Sequence, residues 1–73
     1  MAIIGKIINE QFGKINTREG EVLCDIIHDH EFFQIRTYSM ADSDRKNGSK
    51  QNIQLTKEKA IQLKKHLEDF INQ

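Results

Sequence analysis

A chain of 73 residues is one domain, small enough that a single sheet and helix bury only a modest fraction of its surface. Its formal net charge is zero and its lone cysteine is Cys24. These facts exclude a globally basic nucleic-acid binder and an internal disulfide, and they fit a reducing compartment. No apolar run approaches the roughly 20 residues that span a bilayer. Ala2-Ile3-Ile4-Gly5 is too short for the core of a signal peptide. The expectation is a cytoplasmic protein without membrane contact.

In chain order, Ile7 to Thr17 is predicted as a first strand. Its apolar positions Ile8, Phe12 and Ile15 do not share one parity, so a bulge is expected near Gly13. Arg18-Glu19-Gly20 makes a turn. Glu21 to His28 is a second strand, with Val22, Cys24 and Ile26 on one side and Leu23, Asp25 and Ile27 on the other. Asp29-His30-Glu31 forms a short polar turn. Phe32 to Ser39 is aromatic, β-branched and alternating, which reads as a third strand. Phe33, Ile35 and Thr37 point one way; Phe32, Gln34, Arg36 and Tyr38 point the other. Residues 40–52 hold almost no apolar side chains, and Asn47-Gly48 is a turn signal; this is a long loop or a hairpin with a frayed tip. Ile53 and Leu55 lie on the core side of a short last strand. From Thr56 to Asn72 the apolar residues Ala60, Leu63, Leu67 and Phe70 make one helical stripe. Thr56 is placed to cap this helix, and Glu58 suits its positive first turn.

The predicted order β-β-β-β-α, joined mostly by short turns, is an α+β fold: a four-stranded antiparallel meander followed by one C-terminal helix. One helix covers one face of such a sheet. The other face must be polar, bind a ligand or pair with a second subunit. The wide stripe of Ala60, Leu63, Leu67 and Phe70 makes a homodimer interface the expectation.

Charge is unevenly spread. Residues 36–65 carry eight Lys/Arg against three acids, and residues 1–35 carry three against six. A polyanion feels such local potential. Phe32, Arg36 and Tyr38 share a strand face on which bases could stack and a cation could meet phosphate. Arg45, Lys46 and Lys50 in the loop are candidate phosphate contacts, and Lys14 could extend the track. The competing reading is that Phe32, Arg36 and Tyr38 pair across strands or cover an interface, and that the loop lysines are solvated. His28 and His30 lie near Cys24 and Asp29, but no second ligand pair has metal-site spacing, so no metal or other cofactor is expected. Cys24, between Val22 and Ile26, reads as a buried structural cysteine rather than a nucleophile. No phosphate loop, Ser-His-Asp set or paired-carboxylate signature is present, so neither an enzyme nor a small-molecule substrate is expected.

The run Phe33-Gln34-Ile35-Arg36-Thr37-Tyr38, the polar basic loop, Ile53-x-Leu55-Thr56 and the helix with Gln62-Leu63-Lys64 together resemble the positive-cofactor-four family of transcriptional coactivators and bacterial single-stranded-DNA-binding relatives. The resemblance covers residues 8–71. It implies a curved four-stranded antiparallel sheet with a C-terminal helix and dimerisation through helices and strands. It also implies non-catalytic binding of single-stranded DNA or RNA across the sheet. Arg36, Lys50 and Tyr38 match the family's basic and aromatic positions. Where relatives carry an aromatic and lysines in the preceding hairpin, this chain has Ile27, His28 and His30 among acids. Ala60 stands where relatives often carry tryptophan. Histidines there fit weak, pH-sensitive or partner-assisted binding.

Overall fold

The computed structural model describes residues 2–73. Its centre is the hairpin of β2 (Leu23–His28) and β3 (Phe32–Tyr38), extended by β4 (Gln51–Thr56), with the helix α1 (Lys57–Ile71) following at once. Within this group β2 pairs antiparallel with β3 and β3 antiparallel with β4. Alternating apolar and polar residues build them, as expected of a sheet with two different faces. The β2–β3 turn is tight because Asp29 organises it. Its Oδ1 accepts from the backbone N–H groups of Glu31 and Phe32, both at 2.8 Å, and its own N–H donates to the Phe32 carbonyl at 3.0 Å. This is the local side-chain-to-backbone bonding that makes Asp a turn residue.

The first strand differs from expectation. It is β1 (Ala2–Ile3), and it pairs parallel with β4 at the far edge, giving the order β1-β4-β3-β2. The fold is therefore α+β with a mixed four-stranded sheet, not a pure antiparallel meander. Residues 7–17, predicted as a strand, lie outside the sheet. Their apolar residues point to no common side, so no pairing with β2 could bury them together; Phe12 is 91% exposed. Ala2 and Ile3 are consecutive apolar residues, and the Ile4 N–H extends the ladder to the Gln54 carbonyl at 2.9 Å.

Register assigns the faces. Cys24, Ile26 and His28 share a face with Thr37, Ile35 and Phe33, and with Gln51, Ile53 and Leu55. α1 lies over the Phe33–Leu55 end of this face, and Leu55 is 2% exposed. Helix capping is as expected: Thr56 Oγ1 accepts from the Lys59 N–H at 3.4 Å. The helix reaches only part of the sheet, so Val22, Ile26 and Cys24 remain exposed. Cys24 is thus not a buried structural residue; its end of the face has no cover within one chain.

The opposite face carries Leu23, Asp25 and Ile27 beside Tyr38, Arg36 and Gln34, then Asn52 and Gln54. Over it folds the β3–β4 loop. The loop is a chain of turns rather than a frayed tip. The Asp42 carboxylate accepts from the Lys46 and Asn47 N–H groups at 3.0 and 3.2 Å, and the Asp42 carbonyl accepts from Arg45 at 2.9 Å. Gly48 at φ 78° supplies the left-handed turn that Asn47-Gly48 foreshadows, and Arg45 adopts φ 55°.

Candidate nucleic-acid interface

Arg36 sits at the centre of β3, flanked by Asp25 on β2 and Asn52 on β4. Its Nε donates to Asp25 Oδ1 at 2.7 Å and its Nη2 to Oδ2 at 2.9 Å, a bidentate pair that fixes the guanidinium plane. Arg45 reaches back from the loop and places its Nε 3.1 Å from the same Oδ2. One carboxylate therefore holds two cations and ties the loop to the sheet. The Arg36 hydrogen bond, more than any other contact, holds the Asp25 carboxyl below its usual pKa range, and Arg36 is raised in return. Tyr38 helps in a smaller way to hold the Asp25 carboxyl low, and Tyr38 is only 5% exposed.

Along the same face, toward the β2–β3 turn, lies a shallow recess of about 200 Å³ lined by Ile27, His28, Asp29, Phe32, Gln34 and Gln54. Phe32 presents a partly exposed ring at its edge. Gln34 Nε2 donates to Gln54 Oε1 at 2.9 Å across the strands, which places two amides in the recess. Gln34 and Arg36 are two residues apart on β3, about 7 Å, so the recess and the guanidinium pair adjoin.

The structure thus gathers some of the predicted site residues and separates others. Phe32, Arg36 and Arg45 share the helix-free face. Tyr38 shares it too, but buried, so its ring offers no open stacking surface in the single chain. Lys46 is solvent-exposed, its Nζ 3.8 Å from Asp44, and Lys50 is exposed just before β4. His28 is on the opposite face, its ring stacked at 6.1 Å on Phe33, and His30 is at the tip of the turn. Lys14 lies in the segment outside the sheet. Among the described residues, no group of three His, Cys, Asp or Glu side chains is arranged to hold a metal, and no helix is long and apolar enough to cross a membrane.

Sequence reasoning overlooked Asp25, Gln34 and Gln54. Asp25 had half a signal: a charge inside an apolar strand requires a partner, but a three-residue Asp29-His30-Glu31 turn would set it opposite Ile35, and only the observed register, His28 opposite Phe33, brings it to Arg36. The two glutamines had none, because a solvated strand glutamine looks the same.

No family model, no curated protein and no solved structure matches the chain.

Proposed function

We propose that this chain binds single-stranded nucleic acid, without catalysis, across the sheet face opposite α1, and does so as a homodimer in a reducing compartment such as the cytoplasm. The observation that carries this reading is the juxtaposition on one helix-free face of the Phe32–Gln34–Gln54 recess and the Arg36–Arg45 pair. A base fits the first by stacking and amide contacts. Its phosphate meets the second. Single strands are favoured because a paired base cannot enter a recess. The resemblance to positive cofactor four shares Arg36 with this surface and adds transcription regulation as the process.

The dimer has its own support. The chain exposes 6726 Å², against about 4,700 Å² for a folded monomer of this mass. Part of the difference is the segment at residues 4–22, and part is the uncovered apolar surface of Ile26, Leu67, Phe70 and Ile71. A standard interface buries about 800 Å² per partner, which this surplus accommodates.

A second reading, a homodimeric protein-interaction module of the same fold, is favoured by the engagement of Arg36 and Arg45 with Asp25 and the burial of Tyr38. A labelled oligo-dT titration at two salt concentrations, with duplex competitor, separates the two. Nucleic-acid binding predicts saturable affinity that resists duplex, and a loss of about 5- to 150-fold in Phe32→Ala, the value of one stacked base. Absence of saturable binding at low salt removes the first reading. The second predicts that Arg36→Ala and Tyr38→Ala disturb association or stability and leave any oligonucleotide affinity unchanged.

A further inference from the structure

A second recess lies on the helix side of the sheet. It measures about 240 Å³ and lies between Phe33, Leu55, Thr56, Lys57 and Ala60 on one side and the β2–β3 turn, with His28, Asp29, Glu31 and Phe32, on the other. Its helix wall includes Ala60, whose side chain is too small to fill it. For comparison, an apolar cavity of about 150 Å³ accommodates a benzene ring. Within one chain nothing fills it. At the other end of the same helix stands the reverse situation. Phe70 is 70% exposed, with Leu67 and Ile71 also uncovered.

We infer that Phe70 of a second copy fills the recess beside Ala60, with the two α1 helices packed antiparallel. This rests on the homodimer proposed above and assigns its register. The spacing supports it. A two-fold axis beside Lys65 sets Ala60 against Phe70 of the second copy and Leu63 against Leu67 of the second copy, so small meets large and leucine meets leucine. Both recesses and both exposed phenylalanines are then satisfied by one symmetric contact, as an isologous interface requires. Ala60 and Leu63 are half-buried on their own sheet, whereas Leu67, Phe70 and Ile71 are left uncovered. Each helix therefore anchors its N-terminal half on its own chain and offers its C-terminal half to the other.

Sedimentation equilibrium on the full chain tests the register. Wild type is expected to be a dimer at micromolar concentration. Phe70→Ala should weaken association at least about thirtyfold per recess, the lower bound for an anchor residue in a desolvated pocket, or about a thousandfold for the two. Ala60→Phe should weaken it by blocking the recess, and the double variant A60F/F70A should recover at least tenfold over Ala60→Phe by exchanging knob and hole. Because Phe70 is mostly exposed, the far-ultraviolet spectrum of Phe70→Ala should be unchanged. As a check independent of stability, Ala60→Cys with Phe70→Cys in a Cys24→Ser background should form a covalent dimer on mild oxidation. The register is overturned if Phe70→Ala dimerises like wild type, if the double variant is no tighter than Ala60→Phe, or if oxidation yields monomer alone. A wild type that is monomeric overturns the dimer itself.

Discussion

Replacing Asp25 by asparagine removes the carboxylate that holds Arg36 at 2.7 Å and Arg45 at 3.1 Å while keeping the side chain's shape. In the wild type the single carboxylate offsets one of these two guanidinium charges, so the trio presents a net charge of one to a phosphate. Lys46 and Lys50 add two loop cations without a close, well-aligned carboxylate partner. Each phosphate neutralised on a single strand contributes about −0.7 to the slope of log affinity against log salt. The two lysines and the trio's residual charge make three, giving a slope near −2.1 and a loss of about eighteenfold between 50 and 200 mM salt. With Asp25→Asn, four cations are available: the slope should approach −2.8 and the loss about fiftyfold over the same range. Affinity at the lower salt should rise. Fluorescence anisotropy with a labelled single-stranded oligonucleotide measures both quantities, and circular dichroism checks that the fold is retained. An unchanged slope, or a weaker complex from a folded variant, would show that phosphates do not contact Arg36 and Arg45 and would leave Asp25 as a purely structural clamp.

Leu55→Ala removes the largest fully buried side chain. Such truncations cost about 2–5 kcal/mol, and because the adjoining recess already lets the site relax, the lower half of that range is expected. Urea unfolding at fixed protein concentration reads it; a loss under about 1 kcal/mol would mean that α1 is not anchored through Leu55. Ile15→Ala, in the exposed segment outside the sheet, should stay within about 0.5 kcal/mol of wild type. Stability should also depend on acid. Asp25 is held below its usual pKa chiefly by Arg36, and Asp29 by the Phe32 and Glu31 amides. Groups with depressed native values stabilise the fold above the unfolded carboxylate value near 3.9, and that contribution is lost as pH falls through the native values. The urea midpoint should therefore drop below about pH 4, and less so in a variant carrying Asp25→Asn and Asp29→Asn. A midpoint that ignores pH between 5 and 3 would contradict the role of both carboxylates.

The elements from β2 to α1 were legible because their signals are local. Alternation along Phe32–Tyr38, the Asp29 turn, Asn47-Gly48 and the Thr56 cap each act over a few residues, and each appears where the sequence placed it, within two residues at the ends of β2 and β4. The first strand was not legible. Pairing Ala2–Ile3 with β4 joins residues some fifty positions apart, and no local pattern distinguishes that partner from β2. The β3–β4 loop shows the same limit. Its basic composition is plain, yet its position over the sheet depends on Asp25, on a different strand.

By itself the sequence determined strand alternation, the helix and its apolar stripe, and the set of basic and aromatic residues available for binding. Tertiary structure decided which of those residues are free. Through register it brought Asp25 opposite Arg36 and under Arg45, buried Tyr38, turned His28 to the helix side and left Phe32 beside two glutamines. The physical reason is that a side chain's chemistry is set by its own atoms, but its availability is set by neighbours that the chain delivers from far along its length.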